Sequence, residues 1–194
     1  MLSLQRNHRL SRSARQQGFS LIEISIVTAI VLLLAIVAIP SIGSYLVENK
    51  VPKVGEELAR FVVQTKVNAS AGGATPYSGI GTENLANMVG QSGVFSVSGS
   101  GAGTAVKHGL GTDGAVTVAE TGSGAGFSIT LSNVNNAACP GIASVMQRVA
   151  DTMSVSPDAG AAVTLKDSTV TYNALSAEAS CAKGDVNSFV FSIG

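Results

Sequence analysis

Between Ile24 and Val47 the chain carries no charged side chain, and the stretch from Ile24 to Ile39 is built almost entirely of Ile, Leu, Val and Ala. At 1.5 Å of rise per residue a helix of that run reaches about 36 Å, enough to cross a hydrocarbon core of about 30 Å. The run therefore predicts a membrane-spanning helix. Arg6, Arg9, Arg12 and Arg15 precede it, the first acid is Glu23, and the next basic residue after the run is Lys50. That asymmetry places the start in the cytoplasm and the bulk of the chain across the membrane. A secretory signal would carry a shorter apolar core with a small-residue cut site behind it. No such site follows here, and Pro40, Ser41 and Gly43 sit in a pattern that continues as helix.

The four leader arginines leave eight Lys and Arg against twelve Asp and Glu in the rest of the chain, whose formal balance over all 194 residues is zero. A mildly acidic remainder gives no electrostatic footprint for nucleic acid along the whole domain. Beyond residue 70 Gly, Ser, Thr and Ala dominate and Trp is absent, which suits a β-rich exported domain. Cys139 and Cys181 both lie in that half; outside the cytoplasm a disulfide between them is the default expectation.

Where the arginine-rich leader meets the apolar run stand Gly18, Phe19, Ser20, Leu21, Ile22 and Glu23. Motif, basic leader and apolar run together resemble the type IV pilin family. The resemblance implies cleavage after Gly18 by a cytoplasm-facing membrane prepilin peptidase, methylation of the new terminus at Phe19, and a role for Glu23 in subunit assembly. A carboxylate at the mouth of a membrane helix is costly unless paired. The amine released at Phe19 is a nearby cation, and the resemblance assigns the pairing to the terminus of a neighbouring subunit.

A uniformly apolar helix is buried in lipid before assembly and among other such helices afterwards, with no face meeting water in either setting. Pro40 and Pro52 cannot donate to the carbonyls of Ile36 and Glu48, so bends are expected there. Beyond Pro52 the helix turns amphipathic: Val54, Leu58, Phe61, Val62 and Thr65 line one face, with Glu56, Glu57, Arg60, Gln64 and Lys66 elsewhere. Ala71, Gly72 and Gly73 are expected to end it.

The remainder reads as an α+β head. A short capped helix is predicted from Thr82 to Val89, closed by Gly90, with strands at 94–98, 115–120, 127–132, 163–165, 170–172 and 188–193. Ile142, Val145, Met146, Val149 and Met153 recur at helical spacing behind Cys139 and Pro140. A Cys139–Cys181 bridge would close a loop of about 43 residues and contribute about 4 kcal/mol. The long leader and late cysteine pair are similar to the type IVb branch, which includes bundle-forming, toxin-coregulated and conjugative thin-pilus pilins; Phe19 is the start more typical of type IVa.

The sequence divides into a cleaved leader (1–18), a transmembrane assembly half-helix (19–47), an amphipathic half-helix (48–70) and a head with an antiparallel sheet (71–194). The expected function is that of a major pilin, without enzymatic activity, metal or cofactor. Its partners would be further copies of itself, the prepilin peptidase, the assembly platform with its ATPase, and the inner membrane before export to an extracellular pilus. A pseudopilin or minor pilin is the alternative within the family, and a membrane-anchored periplasmic binding protein the alternative outside it. His108, the one histidine beyond the leader, lacks a G-x-S-x-G elbow, and Gly99, Gly101 and Gly103 lack the Lys-Ser/Thr pair of a phosphate loop.

Overall fold

The computed structural model describes residues 18–69 and 73–194. The leader up to residue 17 and the predicted helix stop at Ala71 and Gly72 lie outside them. The chain separates into two compact units, the first ending at Pro40 and the second running from Ser41 to Gly194.

Helix α1, Leu21–Ala69, is the regular structure among the described residues of the first unit and continues into the sequence of the second. Its start is two residues later than expected, because Ser20 stays outside the helix and its N–H donates to the Glu23 Oε2 at 2.9 Å. The helical assignment continues through Pro40 and Pro52.

In the second unit α1 is followed by α2 (Thr82–Val89) and β1 to β4 (Ser96–Ser98, Ala105–Lys107, Ala115–Thr121, Gly126–Asn135). Then come α3 (Cys139–Met146), β5 (Thr152–Pro157), β6 (Val163–Lys166), α4 (Ala174–Ala179) and β7 (Asp185–Ile193). The seven strands form one antiparallel sheet in the order β1-β2-β3-β4-β7-β5-β6. The fold is α+β. Period-two alternation puts one set of side chains on the buried face. Register aligns them in rows: Val118, Ile129, Phe191 and Met153 in one, Val116, Leu131, Phe189 and Val155 in the next. Val54, Leu58, Phe61 and Val62 of α1 share this core, and the Phe61 ring meets Phe127 edge-on at 6.1 Å.

Two glycines set how closely α1 and α3 approach. A Cβ on Gly55 would stand 2.8 Å from Val145, and one on Gly141 would stand 2.8 Å from Val51. Each helix offers a notch where the other places a valine, so neither glycine has room for a side chain unless its neighbour moves.

Several expectations are corrected. Met153 belongs to β5, opposite Phe191, and α3 stops at Met146; a Val-Met-x-x-Val-x-x-x-Met spacing cannot separate a longer helix from a helix followed by a strand. The α3 exit is closed by Lys166, whose ammonium donates to the carbonyls of Gln147 (2.7 Å) and Ala150 (2.6 Å). Residues 170–172 are loop rather than strand. Asp167 Oδ1 accepts from Thr169 N, Thr169 Oγ1 and Val170 N, and that side-chain turn replaces ladder pairing. Strand β2 and helix α4 escaped the sequence reading. At α2 the cap is Asn84 reaching back to Gly81 N at 2.8 Å, while Thr82 Oγ1 accepts from Val118 N.

Candidate functional site

The residues singled out at the start of the chain form a continuous exposed segment. Gly18, Phe19 and Ser20 precede the helix, and Glu23 lies in its first turn, where a carboxylate also complements the helix dipole. The Glu23 carboxylate accepts the Ser20 N–H, and Ile24 N donates to Ser20 O at 3.2 Å, so this acid caps the start of the helix. Among the described residues nothing within 4 Å would meet a Cβ on Gly18, and its φ is not positive.

The window Leu21–Ala38 has mean hydropathy 2.8, and none of it is buried by the protein itself. Ile30, Val31, Leu32, Leu33 and Leu34 are each more than half exposed. At 100° per residue five consecutive positions point all round the helix, so its intended surroundings are apolar on every side. Its two described hydroxyls do not interrupt this: Ser25 Oγ donates to Ile22 O at 2.9 Å and Thr28 Oγ1 to Ile24 O at 2.7 Å, internal bonds that survive without water.

In the second unit Cys139, the first residue of α3, is bonded to Cys181, which follows α4, with Cα atoms 6.5 Å apart. Cys139 is fully buried, as is Ala177 of α4, in the same core. Between the cysteines run α3, β5, β6 and α4, so the bond ties the two outermost strands on that side of the sheet into one closed excursion. Ser144 and Tyr172 add a hydroxyl pair at 2.9 Å inside it.

His108 is enclosed and its nitrogens are both committed to backbone. Nδ1 accepts from Leu110 N at 2.9 Å and Nε2 donates to Ser132 O at 2.8 Å, which fixes a neutral tautomer. Neither nitrogen meets the hydroxyl or carboxylate that a Ser/His/Asp arrangement needs. Gly114 allows the ring its place, since a Cβ there would lie 2.3 Å from Cε1. Burial pushes the imidazole below its ordinary value of 6.5, and the Ser132 carbonyl opposes this less strongly. The unfolded chain therefore takes up the proton first. Stability tied to the neutral ring is complete above about pH 6.5 and is lost as the pH falls toward the folded value. Urea unfolding of the head is expected to weaken on going from pH 7 toward 5, with the His108 ring proton shifts still those of neutral imidazole at pH 6.5; a ring that titrates at its ordinary value would contradict this.

The sequence reading also missed Asp185. Its Oδ2 accepts from Thr112 N (2.8 Å) and Thr112 Oγ1 (2.6 Å), and its Oδ1 from Asn135 Nδ2, so one carboxylate joins the turn after β2 to β4 and β7. The Thr112 hydroxyl bond leads in holding it below the usual carboxylate range, burial opposes, and the Thr112 amide and Asn135 add to the lowering. The three glycines near residue 100 form the β1–β2 hairpin. Gly99 has φ +76° and Gly103 O would lie 2.2 Å from its Cβ, so close packing of the turn on itself explains them. Among the described residues no group of three His, Cys, Asp or Glu side chains is disposed to hold a metal ion.

Two family models match the chain. One described as a prokaryotic N-terminal methylation motif matches residues 13–39, covering Gly18 to Glu23 and the apolar window. One described as PilS N terminal matches residues 111–194, from the turn after β2 through β7 and including both cysteines. A comparison with curated proteins finds no match.

Proposed function

We propose that this chain, a type IV pilin by its methylation motif and its pilin domain, is the major structural subunit of a surface filament. The observation that carries the reading is a helix apolar on all sides, opened by an acid-capped turn. Such a helix first needs lipid and then needs other helices. The precursor is held in the inner membrane with residues 1–18 in the cytoplasm and is cut by prepilin peptidase between Gly18 and Phe19. Phe19 becomes the methylated terminus, and Glu23 takes that terminus of the adjacent subunit as its counter-ion. Extraction by the assembly platform and its ATPase moves 19–47 from lipid into the filament core, with bending at Pro40 and Pro52; 48–70 joins this to the head, 71–194, on the extracellular surface. The long leader and the cysteine pair favour the type IVb branch.

The product is scaffold rather than catalyst, a reading that rests on the pilin-family matches. Deleting the chain is expected to abolish surface filaments in electron micrographs, and sheared wild-type filaments should yield a subunit beginning at Phe19 and 14 mass units heavier than the unmodified peptide, about the mass of one methylene. Abundant filaments in the deletion strain would overturn the major-subunit reading and leave the minor-pilin or pseudopilin alternative.

A further inference from the structure

The connection from β2 to β3, residues 108–114, is fastened to the sheet by a histidine at the place where strand pairing stops. The β2–β3 ladder ends at Lys107 and Ala115. Strand β4 is bulged beyond Leu131: its register with β7 resumes only at Val134, Asn133 has φ +52°, and Ser132 is paired with neither neighbouring strand. The Ser132 carbonyl that the bulge frees from the ladder is the one that accepts the His108 Nε2–H at 2.8 Å. The turn lies against the same bulge, since a Cβ on Gly111 would overlap the Asn133 carbonyl. Leu110 pins it in place. Its side chain is fully buried, its carbonyl accepts from Asn135 N at 2.8 Å, and its N–H donates to His108 Nδ1 at 2.9 Å.

A second proton on the ring changes one of these bonds and leaves the other. Nε2 goes on donating to Ser132 O, whereas Nδ1 becomes a donor facing the Leu110 N–H, two donors with no acceptor between them. His108 and Leu110 are two residues apart, so moving the turn alone relieves the conflict. The charged groups around it are few. Lys107 and Asp113 pair at 2.8 Å within the hairpin. Lys50 of α1 stands over Gly109, its Nζ 3.2 Å from the place of a Cβ. Asp185 of β7 accepts from Thr112, and β4 presents no charged side chain. The Lys107 hydrogen bond holds the Asp113 carboxyl below its usual range, as the Thr112 hydroxyl does that of Asp185, so neither changes charge between pH 7 and 5. The ordinary value of His108, 6.5, falls inside that interval.

We propose that the 109–113 turn is an acid-released latch: a proton at His108 Nδ1 displaces the Leu110 amide, and the turn swings off the bulged end of β4 while the rest of the sheet stays folded. Acid thus opens this turn in addition to lowering the stability of the whole head. The latch does not depend on assembly, so the test uses the full chain in detergent, with amide exchange followed by NMR and expressed as protection factors. The released ring takes up its proton at the ordinary value, and the opening constant rises up to about 25-fold from pH 7 to 5. Protection at Leu110 and Thr112 is expected to fall by that order. At pH 5 their exchange should be unmoved by about 1 M urea, because the opening exposes little surface, while amides of the β5–β7 ladder exchange faster with urea. In His108→Asn an acceptor remains at the δ position and nothing titrates, so the pH dependence at Leu110 should disappear. Constant protection from pH 7 to 5, a urea slope at Leu110 equal to that of the β5–β7 ladder, or an undiminished pH dependence in the Asn variant would each overturn the proposal. The first two are read on the unaltered chain and stand whether or not the variant folds.

Discussion

Glu23→Ala subunits are expected to be cut after Gly18 as usual and then to be nearly absent from filaments made in cells that also supply the wild-type chain. Two losses coincide in this variant. The Ser20 N–H loses its acceptor, worth about 1 kcal/mol at a helix start. On the proposed assembly, the larger loss comes once lipid is exchanged for neighbouring helices, where the amine of Phe19 would have no counter-charge. Leaving one member of a buried ion pair alone costs about 3–5 kcal/mol, a factor of about 10² to 4 × 10³ in incorporation. Glu23→Gln separates the contributions, since its amide oxygen still caps Ser20 while its charge is gone. Mass spectrometry of sheared filaments from cells expressing both chains gives the ratio directly. Exclusion of the Gln variant as well supports pairing; its incorporation at the wild-type ratio would overturn the ion pair and leave only the cap.

Removing the cross-link has the second large effect. In a C139A/C181A double variant, closure of a loop with sequence separation 42 is lost, about 4 kcal/mol on the loop-entropy estimate. A urea midpoint lower by about 2 M follows for a denaturant slope near 2 kcal/mol per molar. Alanine is chosen because Cys139 is fully buried and a serine there would add an unsatisfied hydroxyl. The excursion from α3 to α4 holds β5 and β6 against β7, so hydrogen exchange should accelerate first in those two strands. An unchanged midpoint would mean that packing alone secures the excursion.

The apolar helix was legible because its constraints are local: charge and hydropathy are properties of consecutive residues. The Ser20–Glu23 cap spans only three residues and was nevertheless not anticipated. The alternating strands near 115–121, 126–135 and 185–193 were legible for a similar reason: a period of two with one face buried is written along each strand. Met153 is in a strand because a distant group, Phe191, lies opposite it, whereas residues 170–172 are a loop through a local turn in which Asp167 Oδ1 accepts from Thr169 N and Val170 N. The Gly55–Val145 and Gly141–Val51 notches are pairwise facts invisible in either helix alone.

The sequence by itself determined a helix apolar on every side with an acid at its mouth, since the solvent each residue must meet is written in its side chain. Only the tertiary structure decided the order of the seven strands and the enclosure of His108 between two backbone partners. Those depend on which residues far apart in the chain come within 3 to 6 Å of each other, a choice made by the packing of the whole domain.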